Sequence, residues 1–544
     1  GNRHTTNTSA ANYASWTFRK APKFFDVVTY TGSGSAKTVA HSLGSAPGMI
    51  IIKNTGVSDP WAVYHRANTA APQTDYLVLN TTAATVDSAA WWNDTAPTSS
   101  VFTVGTDHSV NANGENYVAY LFAHNDGDGE FGPDADQDII KCGVYTGNGS
   151  TDGPEIDLGF EPQWMITKGA DRGSYWHMLD NMSGWDANGN WQFLRADGAD
   201  AESAGSANTY LLKSTGFKVN STSNSYNANG ESYIYMAIRR GPLAPPEAAT
   251  EVFNTVIGSG VQSPGFPVDF LIGLNDRTSP QSYDPFVKTR LLGGVSYLTT
   301  SITAGEASGS DVGFDTMDGL TYSWPNSNAI AWYWKRAPNY FDVVTYTGTG
   351  SARTVSHNVL GVAPEMMWIK RRDNTGVWAV YHSGVDTNSP EDFYMLLNET
   401  DTRDNDARFW NDTAPTDTVF TVGTHSQVNT SGATYISYLF SSLDGISKVG
   451  SYTGNGSSQT IDCGFSNGAR LILIKRTDST SDWALFDSAR GIVSGNSPMR
   501  KLNTSSGEIN DEDIVDPISS GFIVNSIENR INVSDATYIF YAIA

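Results

Sequence analysis

The densest group of chemically useful side chains is the stretch Asn125-Asp-Gly-Asp-Gly-Glu-Phe-Gly-Pro-Asp-Ala-Asp-Gln-Asp138. Carboxylates alternate with glycines there. A Ca²⁺ loop needs that pattern, because oxygens must converge from both sides of a tightly turned backbone. Asp126, Asp128, Glu130, Asp134 and Asp136 are the candidate ligands of a structural Ca²⁺. The stretch lacks the bidentate Glu that closes an EF-hand loop, so a solvated acidic linker is the competing reading. The related junction Ser441-Ser-Leu-Asp-Gly-Ile-Ser447 has lost the motif. A second candidate is Trp92-Asn93-Asp94-Thr-Ala-Pro97, repeated as Trp410-Asn411-Asp412-Thr-Ala-Pro415. An indole beside amide and carboxylate oxygens can stack on a sugar's apolar face and bond its hydroxyls. The same residues also spell a tight Asx turn with the Trp in the core. His41 and His357, and likewise His65 and His382, recur at matched positions as candidate ligands or bases. A core or strand-end role is the plainer reading. Motifs of the G-x-S-x-G, H-E-x-x-H and G-x-x-x-x-G-K-[ST] kinds are absent. A glycosidase carboxylate pair meets only in the fold, so sequence leaves it open. Catalytic residues are therefore expected to be none.

Those groups sit in a chain of 544 residues, long enough for roughly three to five domains. Charged residues are 17%, against about 25% in ordinary soluble domains, with Gly (52), Ser, Thr and Asn in their place. Asp plus Glu is 57 and Lys plus Arg is 34, a formal net charge of −23. That sign argues against a protein built to hold nucleic acid, which needs a basic surface. It also speaks against docking on anionic lipid. Cys142 and Cys463, the two cysteines, fall in different modules and are expected to be free thiols. No apolar run reaches the roughly 20 residues of a membrane helix. The sequence opens at Gly1 with no signal peptide and no initiator Met. It is expected to be the inner part of a longer or processed product.

An internal repeat organises the chain. FFDVVTYTGSGSAKT at 24–38 answers YFDVVTYTGTGSART at 340–354. WAVYH, WNDTAP and VFTVGT recur behind both. This is module A, at 23–137 and 339–445. A related module B, at 138–246 and 446–544, opens KCGVYTGNGS at 141–150 and KVGSYTGNGS at 448–457. A divergent module X, 247–338, ends WYWKRAPNYFDVV, and the N-terminus reads WTFRKAPKFFDVV. Residues 1–22 are thus the terminal strand of an upstream X-type module, in the order (end of X)-A-B-X-A-B. The alternative is a surplus strand that completes a neighbouring subunit's sheet.

Each module closes with a short apolar strand, a polar loop and a Tyr-rich strand such as Tyr117-Val-Ala-Tyr-Leu-Phe122. Aromatic and β-branched residues suit a pleated surface. Apolar residues at nearly every position of these strands predict cover on both faces. Turn residues recur about every ten positions, and no helical period is sustained. The fold class is all-β, a tandem array of extended form whose modules are antiparallel β-sandwiches, jelly-roll-like or Ig-like, of roughly 100 residues. The linker Gly241-Pro-Leu-Ala-Pro-Pro246 reads as a stiff spacer.

FRKAPKFFDVVTYTG, SLGSAPGMIIIK, FWNDTAPTDTVFTVG, NGENYVAYLFAH and IIKCGVYTGNGS resemble the repeat modules of large virion proteins of tailed, particularly marine, bacteriophages. The resemblance covers A and B closely and X loosely. It implies a virion component on the particle surface, an appendage such as a tail fibre that contacts the host. It carries no catalytic residues. The expected partners are other virion proteins, a host-surface glycan or envelope receptor, and further copies of the chain in a homo-oligomer. Nucleic acid and membrane insertion are not expected. No cofactor is expected beyond the structural Ca²⁺. The competing readings are a purely architectural fibre, filament or capsid-decoration subunit with strand exchange between subunits, and a polysaccharide depolymerase.

Overall fold

The computed structural model describes residues 13–205, 209–278, 284–310, 312–314, 316–510, 512–525 and 531–544. Strands take 38% and helices 5%, so sheets alone build the cores. In A1 the strands are β1 (Phe25–Thr31), β2 (Lys37–Ala40), β3 (Met49–Asn54), β4 (Ala62–His65), β5 (Asp75–Val78), β6 (Val86–Asp87), β7 (Val101–Val104) and β8 (Asn116–Phe122). They form a six-stranded sheet in the order β1-β8-β3-β4-β5-β6, and a second small sheet pairs β2 with β7. Every pairing is antiparallel.

The other modules repeat this plan. The last strand always lies between the first and the third. Ser232–Arg239 does so in B1, Thr434–Phe440 in A2 and Thr537–Ile543 in B2. Module X shares little sequence with A, yet Ile330–Trp334 takes the same place between Phe253–Ile257 and Phe270–Leu274. The all-β class and the tandem sandwich modules are therefore as the sequence reads. In X, A2 and B2 the closing strand is buried along nearly its whole length. In A1 burial alternates, and Val118 and Tyr120 are only partly covered. Cys142 and Cys463 are free and buried. Among the described residues no helix is long and apolar enough to cross a membrane.

A repeated side-chain clamp explains the YTG signature. Tyr30, Tyr145, Tyr346 and Tyr452 stack on Tyr117, Tyr233, Tyr435 and Tyr538 at 5.0–5.1 Å. The hydroxyl of each closing-strand Tyr accepts from the backbone N–H five residues earlier, for instance Ala112 at 2.8 Å and Thr430 at 2.8 Å. Six residues before each of these tyrosines stands a wholly buried Asn: Asn111, Asn227, Asn429 and Asn532. Its Oδ1 accepts from the residue after the YTG glycine, as Ser33 donates to Asn111 at 2.8 Å. Its amide donates back to carbonyls such as Ser35 at 2.7 Å and Gly105 at 2.6 Å. The glycine has no room for a side chain. A Cβ on Gly32 would lie 2.1 Å from the Ala112 carbonyl oxygen, and one on Gly348 2.2 Å from that of Thr430. Repeated sequence here marks repeated turn chemistry, because buried polar groups must all be paired.

Candidate assembly face

The sequence-predicted sites are placed first. Trp92 and Trp410 are 2% and 1% exposed. Their indoles donate inward, to Asp75 O at 3.0 Å and Phe393 O at 2.9 Å, so neither ring face is open to a sugar. Asn93, Asp94, Asn411 and Asp412 are exposed, with left-handed φ of 54°, 47°, 57° and 43°. This is the turn geometry Asn and Asp tolerate best. In the acidic linker, Asp126 reaches towards Lys141 and Glu130 pairs with Lys23 at 2.8 Å. Asp138 organises the loop by accepting from Gly127 and Gly129 at 2.8 and 2.9 Å. Asp126, Asp128, Glu130, Asp134 and Asp136 do not gather around one point. Among the described residues no cluster of three His, Cys, Asp or Glu could hold an ion.

Both histidines of WAVYH, and its tryptophan in A2, lie where modules meet. Trp378 of A2 is fully buried and its indole donates to Thr299 O of X at 2.8 Å. Trp483 of B2 donates to Leu396 O of A2 at 2.9 Å, and Trp176 of B1 to Val78 O of A1 at 3.0 Å. A lysine on the third strand crosses each joint as well. Lys370, Lys475 and Lys168 reach Thr303 O, Thr400 O and Thr82 O at 2.9, 2.9 and 3.1 Å. Burial pushes all three ammonium groups down to about 8. His65 and His382 close the two A–B joints. Their Nε2 meets Tyr235 O at 3.0 Å and Phe540 O at 3.2 Å, in each case on the partner module's central strand. Nδ1 accepts from Ala67 and Gly384 N–H, so Nε2 carries the proton and donates. Burial lowers both rings to about 4. His41 and His357 bond locally, to Thr98 O and Thr416 O at 3.2 and 3.1 Å.

X, A2 and B2 close a triangle. Each turns the outer face of its large sheet to the other two in one apolar core, which is continuous with that of B1. Phe270 meets Tyr438 at 4.8 Å between X and A2, and Phe440 meets Tyr541 at 5.1 Å between A2 and B2. The Trp332 indole of X donates to Asp487 of B2 at 3.0 Å, which completes the circuit. A buried ion network ties B1 onto this triangle. Arg336 bonds Glu161 at 2.8 Å and Asp342 at 2.7 Å, and Asp269 pairs with Arg240 at 2.5 Å and Arg290 at 3.1 Å. Burial alone would raise Asp269, but the three arginines outweigh it and hold the carboxyl at about 2.

The A1–B1 pair has the same A–B joint and lacks the third module. Val343, Trp368, Lys370, Trp378, Ile436 and Tyr438 of A2 are all buried. Their A1 counterparts Val27, Ile51, Lys53, Trp61, Val118 and Tyr120 are all only partly covered. Lys53 turns to its own loop, to Asp59 O at 2.6 Å. Among the described residues the Trp61 indole N–H has no acceptor. Residues 13–20 lie across this pair in the same chain. Trp16 donates to Asp180 of B1 at 3.1 Å, and Phe18 packs on Phe25, Phe122 and Trp164 at 5.5–5.8 Å. Lys20 pairs with Asp26 at 2.6 Å as Arg336 pairs with Asp342. Residues 1–12 lie outside the described residues.

The two long repeats carry the family assignment. A family model described as "Domain of unknown function (DUF7483)" matches residues 1–242 and 295–544. The chain belongs to the DUF7483 family. Each matched stretch spans an A module and all or nearly all of the B module that follows it. No curated protein and no solved structure matches the chain.

Sequence reasoning placed WAVYH and its histidine without assigning them to joints. It also missed the buried Asn of the clamp, which the spacing N-x₅-Y, repeated in all A and B modules, would have revealed.

Proposed function

We propose that the chain is a non-enzymatic structural component of a tailed-phage virion, a tail fibre or surface appendage that attaches to the host cell. The resemblance of the A and B phrases to virion repeat modules is the observation that carries this reading. The architecture supports it. The side chains best suited to chemistry, Trp92, Trp410, His65 and His382, are used to hold turns and join modules. Exposed surface is acidic and polar, as the net charge of −23 requires. Such a surface keeps a particle soluble and leaves recognition to weak, multiplied contacts with a host glycan or envelope receptor. The open A1–B1 face favours a second reading, an architectural subunit with no receptor of its own.

Antibody raised to the chain and applied to purified particles separates these readings. Label on the tail together with binding of the purified chain to host cells is the expected result. Label on the particle without cell binding selects the architectural reading. Absence of label from every particle, or release of reducing sugar from host polysaccharide, overturns the proposal.

A further inference from the structure

We infer that the outer face of A1, with the adjoining edge of B1, is the seat of an X-type β-module whose last central strand is residues 14–18. This inference stands on the internal geometry and not on the virion reading.

Ala14–Phe18 is the counterpart of Ile330–Trp334, the central strand of X. The flanking residues correspond too: Trp16 to Trp332, Lys20 to Arg336, and Ala21-Pro22 to Ala337-Pro338. The contacts are also the same. Trp16 and Trp332 donate to the matched carboxylates Asp180 and Asp487 at 3.1 and 3.0 Å. Ala21 N–H and Ala337 N–H both reach a Phe carbonyl, Phe25 or Phe341, at 3.0 Å. What differs is the surroundings. Ile330–Trp334 is paired on both edges and wholly buried. Among the described residues Ala14–Phe18 pairs with no strand, and Trp16 and Phe18 are only partly covered. Two open backbone edges over an apolar face are a template for strand addition.

The face beneath has the matching unmet demands. Five apolar side chains and the Trp61 indole N–H stand where their A2 counterparts are sealed by X. In A2 the acceptor for that indole is a carbonyl at the end of the fifth strand of X. An occupant must therefore bring a large sheet whose fifth strand reaches this corner. It must also bring first and third strands that flank residues 14–18. An X-type module meets both conditions, and the chain already contains one seated in this way on A2 and B2.

The test compares the 544-residue chain with one in which a copy of residues 247–328 replaces residues 1–12, so that the copy runs into Tyr13 in register. A second version of the extended chain carries Ile51→Trp, which matches the Trp368 against which that copy normally packs. Hydroxyl-radical footprinting reads Trp61 and Tyr120, with Trp378 and Tyr438 in the same molecule as the buried reference, and light scattering reads mass. The expected result is a monomeric parent in which Trp61 and Tyr120 react several-fold faster than the reference pair. In at least one extended chain both should fall to the reference rate. Reactive Trp61 in both extended chains, with the added module protease-resistant, overturns the inference. Protection of Trp61 in the parent together with a dimer mass also overturns it, and assigns the face to a second copy. None of these readouts involves a particle or a host, so failure here is distinct from failure of the proposed function.

Discussion

Asn429 shows how much one side chain can hold. Its amide bonds Ser351 O and Gly423 O at 2.6 Å each and its carbonyl takes the Thr349 N–H. Asn429→Ala strands several buried groups, each worth about 1–3 kcal/mol. We expect a loss of about 3 kcal/mol in urea unfolding. Tyr435→Phe keeps the stacking on Tyr346 but loses both the bond from the Thr430 N–H and the one to Ser426 O, so about 1–3 kcal/mol is expected. The two joint histidines add a pH dependence. In the unfolded chain each ring takes a proton below its ordinary value of 6.5, whereas the folded ring resists until about 4. The unfolded state therefore binds more protons in that window, and stability falls as pH drops through it, by up to ~3 kcal/mol per ring. Thermal melts from pH 7.5 to 4 should show the decline, and His65→Gln with His382→Gln should reduce it, while His177, which burial lowers to about 3, keeps its share. Asp269, held down at about 2, adds nothing to the slope above about pH 5.

The closing strand makes the same point for an element. Ile436 and Val118 occupy one position in A2 and A1, under X in the first case and partly bare in the second. Ile436→Ala opens a cavity in the shared core and should cost about 3 kcal/mol. Val118→Ala removes a side chain already partly in water and should cost less than about 1 kcal/mol. Differential unfolding of the two variants in one buffer checks the contrast. The strands themselves were legible from aromatic and β-branched runs, and their central place follows from having no polar face. The covering layer was not legible. A strand apolar on both sides states that something lies over it and does not say what.

For the whole molecule the decisive feature is the joint, used three times: X to A2, A2 to B2 and A1 to B1. Its repeated tryptophan bond and lysine crossing make neighbouring modules one packed body, with B1 locked to X and A2 through Arg336. Removing one partner of a buried ion network leaves unpaired charge, typically about 3–5 kcal/mol. Arg336→Met strands Asp342 in this way and leaves Glu161 with Arg240 alone, at 3.7 Å. It should split the melting transition and expose the 241–246 linker to protease before either triangle or pair unfolds. A single transition with an intact linker would refute that coupling.

The all-β class and the tandem repeat were legible in the sequence, because each depends on residues close in the chain or on comparing one repeat with another. The tertiary structure decided the rest. It put Trp92 and Trp410 inside and turned their neighbours into left-handed turns. It left the linker carboxylates apart, with Glu130 paired to Lys23 and Asp126 facing Lys141. It gave X the same sheet order as A despite divergent residues, because many apolar sets satisfy one topology. It also distinguished Trp61 from Trp378, identical in sequence context, by the presence or absence of a module packed above. That difference is a contact between distant segments, and local pattern carries no record of it.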